Sequence, residues 1–398
     1  MAFEDDLRNF INLTHAYAWH QAQAVGKVPD EPGLVSAFIA KPMLDELECL
    51  VKAELGASTK VLVDGIFTHK TPTVWPTVAP NPNSVEIADL MLVRQHVNPS
   101  TGVAISGRAF LLQAKRNVLP NSGNVAAGNP FIQFNLYKKW PPFEGTTRLS
   151  KGAANGANWQ FPYIEGNPYG RYLAVLDGNA FVPAGAPPVW QGCPTRNAAC
   201  APYTFPAAGS WGYGDISLQT APAAGVNCST DFALLLGEFI KGNAGVPFTP
   251  GRWSHTDHWS TFVTEMLGHA LSANYTYLSG RTGIIQPAMR MGTISSFVAA
   301  QPILELLRRR YSAGNNVLAR RFWDIDEFDW MPPWSYWPWL DDEFYKQSRA
   351  IFLAIAREDD GGALPPEVGN EQPPDEPGFP SLLSIVTIGD ETPEGLNG

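Results

Sequence analysis

The stretch Val85-Glu86-Ile87-Ala88-Asp89-Leu90-Met91-Leu92-Val93 constrains the fold of this chain more than any other. The residues around Asp89 are those of a strand largely buried on both faces. A carboxylate in such a place is costly unless something offsets it, so Asp89 needs a partner. The next strand-like run, Phe110-Leu111-Leu112-Gln113-Ala114-Lys115, sets Gln113 and Lys115 on one face and Leu112 and Ala114 on the other, because side chains alternate along a strand. Two polar groups therefore converge at one strand end.

The surrounding pattern gives these strands a setting. Phe10, Ile11, Leu13, Ala16, Tyr17 and Ala24 recur at helical spacing over 5–24, and Val28-Pro29-Asp30-Glu31-Pro32-Gly33 breaks that helix. A second helix is expected over 32–55, with Pro32 in its first turn, Gly56 as its stop and Leu34, Phe38, Leu44, Leu47 and Val51 as its buried stripe. Strands are expected at 60–68, 85–97 and 108–116, then a helix over 129–140 and a strand over 172–176. Helix, three strands, helix, strand is an α/β order.

Beyond residue 178 Pro, Gly and Ala dominate as far as about 224. Helices are then expected at 231–241, 257–273, 295–312 and 341–356, with an aromatic, proline-rich stretch at 322–339 between the last two. The organisation read from this is an N-terminal helix (1–30), a core (31–178), a helical and loop-rich accessory region (179–357) and an acidic, Pro-rich tail (358–398).

At 398 residues the chain is longer than a typical single domain. Its charged fraction of 17% is low while Gly 36 and Pro 35 are high, which implies an ordered but loop-rich protein. The net charge of −10 argues against a protein that coats nucleic acid non-specifically but leaves room for a local basic cleft. The segment 358–394 carries much of the acid and is expected to stay solvated. Residues 1–6 have no basic leader region, and no run of about 18 apolar residues occurs, so neither secretion nor membrane spanning is expected and a cytoplasmic protein is. Cys49, Cys193, Cys200 and Cys228 are too few and scattered for a disulfide scaffold. Buried or free thiols are favoured over a zinc site built from Cys193, Cys200 and Cys228.

Cleaving a phosphodiester needs a hard cation to polarise the phosphate and acidify a water, and Mg²⁺ takes oxygen ligands from few protein groups. Asp89, the side-chain oxygen of Gln113 and the Ala114 carbonyl could supply such ligands. Lys115 would orient the water and offset charge building on phosphorus. Asp89 followed by Gln113-x-Lys115 resembles the catalytic signature of the PD-(D/E)XK nuclease superfamily, which has a restriction-endonuclease-like fold. Gln133-Phe134-Asn135-Leu136-Tyr137 is similar to the Gln-x-x-x-Tyr motif of its RecB-type members, with both side chains on one helix face. Two departures stand out: Ala88 replaces the usual proline, and Gln113 replaces the usual acid, as it does in Mrr-like restriction nucleases.

The resemblance implies a metal-dependent nuclease. It implies Mg²⁺, or Mn²⁺ given one fewer negative ligand, held by Asp89, Gln113, Ala114 and a helical Glu, for which Glu31 is the choice and Glu46 and Glu48 are rivals. Gln133 and Tyr137 would border the substrate, with Lys138, Lys139 and Arg116 contacting phosphates. Family prevalence favours DNA over RNA. The accessory region suggests a trigger-sensing partner or self-association in restriction or anti-phage defence, by analogy. The alternative is a nuclease-fold protein with a weakened site that binds nucleic acid or assembles with a partner.

Other clusters have plainer readings. Asp257 reads as a helix cap and His255, His258, Glu265 and His269 as ordinary histidines and acid, with no zincin spacing. Arg308-Arg309-Arg310 and Arg320-Arg321 suit phosphates or a helix dipole, as Arg148 and Lys151 suit phosphates. Trp330, Trp334, Trp337 and Trp339 read as packing more than as base-stacking groups.

Overall fold

The computed structural model describes residues 2–178, 209–272 and 380–389, leaving aside 24–27, 40, 57, 67–72, 78–83, 99–102, 119–120, 147–148, 150–151, 154–156, 163, 166–168, 217–221 and 251–255. The helices expected at 295–312 and 341–356, the aromatic stretch at 322–339, the arginine clusters, Arg148, Lys151, Cys193, Cys200 and His255 lie outside the described residues.

Three helices open the chain: α1 (Ala2–Gln23), α2 (Glu31–Phe38) and α3 (Lys41–Leu55). Asp30 caps α2 by accepting from the Gly33 N–H at 2.7 Å, with Pro32 in the first turn where no donor is missed. The single helix expected over 32–55 is two helices, and the break falls just before Pro42. A proline there would clash with the carbonyl four residues back, so helix cannot run straight through. Gly56, at φ +83°, ends α3.

Strands β1 (Lys60–Ile66), β2 (Thr73–Pro76), β3 (Val85–Glu86), β4 (Leu90–Asn98) and β5 (Val103–Asn117) follow, then α4 (Gly128–Lys139). The run expected as one strand over 85–97 is interrupted at Ile87-Ala88-Asp89, which form a bend. Next come β6 (Phe143–Gly145), β7 (Gly152–Ala153), β8 (Ala157–Asn158), β9 (Gly170–Leu176), β10 (Trp211–Gly214), β11 (Thr230–Asp231), α5 (Phe232–Lys241), β12 (Val246–Phe248), α6 (His258–Ser272) and β13 (Ser381–Ile388).

The main sheet is mixed and eight-stranded, in the order β1-β13-β4-β5-β9-β10-β11, with β12 pairing β5. β4 and β5 are antiparallel, and β9 runs parallel to β5. Helices cover both faces. Leu90, Leu92, Phe110, Leu112 and Ala114 pack with α1, α2, α3 and α5, while Met91, Val93, Ala109 and Leu111 pack with α4 and α6. This is an α/β fold with strands buried on both faces, as the apolar runs require.

A third expectation is overturned. The segment 358–394, read as solvated, contains β13, which lies between β1 and β4 with all eight residues buried. It runs parallel to β4, pairing Ser381 with Leu90 through Ile388 with Val97, and antiparallel to β1. Leu382, Leu383, Ile385, Val386 and Ile388 form a short apolar, partly β-branched run that outweighs the acidic surroundings. Among the described residues no helix is long and apolar enough to cross a membrane.

Candidate functional site

Asp89 stands in the bend that leads into β4. Its N–H donates to the Leu112 carbonyl at 3.0 Å. Its Oδ2 accepts from the Ala114 N–H at 2.7 Å and from Gln113 Nε2. The carboxylate thus continues the β4–β5 ladder one rung past the end of β4, which is how a buried acid in an apolar setting is satisfied.

A second row of hydrogen bonds fixes the first. Gln133 Nε2 donates both to Gln113 Oε1 at 3.0 Å and to the Glu86 carbonyl at 3.1 Å. One turn later on α4, the Tyr137 hydroxyl donates to the Ile87 carbonyl at 2.7 Å. Gln133 and Tyr137 are buried, 7% and 0% exposed. Burial holds the Tyr137 phenol well above its ordinary pKa, so it stays a neutral donor. The pair expected to border a substrate therefore spends its polar atoms on the backbone before Asp89 and on Gln113.

Lys115 and Glu31 complete the cluster. Glu31 enters at the start of α2, where its Oε1 accepts from the Arg116 N–H at 2.8 Å and its Oε2 lies 3.3 Å from Lys115 Nζ. Its rivals are not among the carboxylates that act on Lys115: Glu46 is buried in α3, and Glu48 accepts from the Val63 N–H at 3.2 Å while pairing with Lys52 at 2.5 Å. Burial pushes Asp89 up to about 6, helped by the Glu31 charge and opposed by the Lys115 charge and the donors Ala114 and Gln113. Burial alone would lower Lys115, but the carboxylates of Asp89, Glu31 and Glu86 outweigh it and raise its pKa. Lys115 is an ammonium throughout the neutral range. Glu86 was not singled out by sequence reasoning, although its position three residues before Asp89 offered a signal.

The remaining expected residues are placed elsewhere. Arg116 donates from Nη1 to the Pro29 carbonyl at 2.6 Å and sits 3.5 Å from Asp177 Oδ1, so it clamps the entry to α2. Lys138 lies over the Phe134 ring at 5.6 Å, and Lys139 is exposed in the last turn of α4, where a cation complements the helix dipole. Asp257 caps α6, accepting from the Ser260 N–H at 3.0 Å, as its position implied. His258 Nδ1 accepts from the Gln160 N–H at 2.9 Å. Cys49 and Cys228 are free thiols, and burial pushes Cys228 up to about 12.

The donor set can be weighed against the cation that the resemblance implies. Among the described residues no three His, Cys, Asp or Glu side chains gather at one point. Mg²⁺ needs only one or two carboxylates, and Asp89 and Glu31, both acting on Lys115, meet that requirement with the Ala114 carbonyl as a further oxygen. Gln113 does not in its observed orientation, since its N–H side faces Asp89 and its oxygen faces Gln133. No protein-family model, curated protein or solved structure matches the chain.

Proposed function

We propose that this protein is a metal-dependent phosphodiesterase of the restriction-endonuclease-like type, acting on nucleic acid with DNA favoured. The observation that carries the reading is the convergence of Asp89, Lys115 and Glu31, from a bend, a strand end and a helix start, at one end of the sheet. The order α3, β1, β4, β5, α4, β9 agrees with the helix, three strands, helix, strand order of that superfamily.

Each residue has a task in this reading. A divalent cation held by Asp89 and Glu31 would supply Lewis-acid polarisation of a phosphate. Lys115, held as an ammonium by three carboxylates, donates hydrogen bonds to a phosphate oxygen or an attacking water and cannot serve as the base. Gln133 and Tyr137 keep Asp89 and Gln113 in place, which is a positioning task. A cytoplasmic role in restriction or anti-phage defence, with the accessory region 179–357 sensing a trigger, extends the reading by analogy.

A specific observation favours a second reading. The Gln113 amide satisfies the Asp89 carboxylate without any cation, as it would in a nuclease fold that has become a binding or assembly subunit. Plasmid degradation with Mg²⁺ or Mn²⁺ tests both. The first reading requires cleavage that Lys115→Ala abolishes; equal cleavage by the variant rejects the site. Absence of cleavage in both the natural chain and Gln113→Glu favours the second.

A further inference from the structure

Midway along β4 the structure holds two arginines that no carboxylate among the described residues neutralises. Arg94 on β4 and Arg108 on β5 are directly opposed in the antiparallel register, and His96 opposes Ser106 one step on. Directly opposed side chains start about 5 Å apart. Arg94 is 1% exposed, and Arg108 is partly exposed. Arg94 lies on the face shared by Leu92 and Phe110, beneath α5 and its following loop.

The unused donors are specific. Arg94 Nε and Nη2 are buried without a hydrogen-bond partner, and so are Arg108 Nε and Ser106 Oγ. Nε and Nη2 form one edge of a guanidinium, the fork that grips two oxygens of a carboxylate or phosphate at once. Arg108 uses Nη1 on the Gly245 carbonyl at 2.9 Å, which fixes its head and leaves Nε over. The charge that acts on Arg94 is the like charge of Arg108, and among the described residues no carboxylate pairs with either group. A buried cation opposed by a partly exposed one, with four buried donors that have no hydrogen-bond partner, is an arrangement that folding alone does not favour.

We propose that Arg94, Arg108 and Ser106 form a binding site for an oxyanion, a phosphate or carboxylate group of a small ligand, which grips the Nε/Nη2 edge of Arg94 and takes further hydrogen bonds from Arg108 and Ser106. Arg94 lies five positions along the chain from Asp89, about 17 Å at the rise of a strand. The ligand is therefore an effector or structural anion and does not enter the cluster around Lys115. Arg108, the partly exposed member, marks its route of entry.

The test uses the full chain and thermal unfolding in anion-poor buffer, titrated separately with inorganic phosphate and with acetate against chloride at matched ionic strength. Saturable stabilisation by phosphate or acetate, beyond chloride, is expected, and whichever acts identifies the headgroup. Arg108→Gln should weaken that binding about tenfold or more, the loss of one charge-assisted hydrogen bond. Arg94→Met should abolish the effect while melting at or above the natural chain in the anion-poor buffer, because an unpaired buried charge has been removed. Absence of a saturable shift, an undiminished shift in Arg94→Met, or an Arg94→Met protein that melts lower with no anion present would overturn the proposal, the last by showing that the chain itself neutralises Arg94.

Discussion

Replacing Asp89 by Asn tests the electrostatics of the cluster most directly. The Asp89 carboxyl has its pKa raised from 3.8 to about 6, chiefly by burial. A rise of roughly two units corresponds to about 3 kcal/mol between the protonated and ionised forms. Because the folded-state value lies above the unfolded one, the group's stabilising contribution is fully present below about 3.8 and is lost as pH rises through 6. An Asn keeps an oxygen for the Ala114 N–H and Gln113 Nε2 but carries no charge to desolvate. Urea unfolding of both proteins from pH 4 to 8, with chelator present, should show the Asn variant gaining on the natural chain by up to about 3 kcal/mol toward neutral pH. Taking the difference cancels the titrating groups that do not interact with Asp89. A difference that stays flat across this range, or that grows toward acid, would refute the account, since the latter is the behaviour of an acid stabilised as its anion. Added Mg²⁺ should flatten the natural chain's curve if the cation binds here.

His15 supplies a change of opposite sign: burial lowers it from 6.5 to about 4 while Trp211 Nε1 and the Gly178 carbonyl engage its two nitrogens. Its contribution is fully present above about 6.5 and falls by about 3 kcal/mol toward pH 4, a slope that His15→Gln should remove from urea unfolding curves. Tyr137→Phe leaves the buried Ile87 carbonyl without its donor and should cost about 1–3 kcal/mol in the same assay. Ending the chain before Ser381 removes five buried apolar side chains worth about 10 kcal/mol together, comparable to a whole domain's stability, so no cooperative melt should be seen by calorimetry.

The parts of the fold that were legible rest on local signals. β4, β5 and β9 follow from apolar runs, and the facing of Gln113 and Lys115 against Leu112 and Ala114 follows from alternation alone. Glu31 was reachable because Asp30 and Pro32 mark a helix start next to it. β13 is not legible, because its eight residues, five of them apolar, sit within an acidic, proline-rich segment, and their partners β1 and β4 lie some 290 positions away or more. β10 escaped for another reason. Its glycines, Gly212 and Gly214, weaken a strand pattern but admit the Cys228 and Asn227 carbonyls, which a Cβ would meet at 2.0 and 2.2 Å. The opposed Arg94 and Arg108 became a pair only once the strand register was known.

The direction of one amide bears most on the chemistry. Glu86 offers a carbonyl, which can only accept, so Gln133 must present its nitrogen there and, through the same nitrogen, to Gln113. Gln113 must then answer with its oxygen, which turns its own nitrogen toward Asp89. The backbone at Glu86 thereby dictates, two side chains away, that Asp89 meets a donor. Turning Gln113 over to offer an oxygen to a cation would set oxygen against Asp89 and would break the Gln133 contact, at a cost of about 1–3 kcal/mol for each buried group left unmatched. Asp89 and Glu31 can hold a cation without that rearrangement. A Gln113→Glu chain has no such choice, since a carboxylate can still accept from Gln133 but faces Asp89 with a second negative charge. It should be less stable than the natural chain in chelator and more stabilised by Mg²⁺, and a variant insensitive to Mg²⁺ would show that no cation binds between these residues.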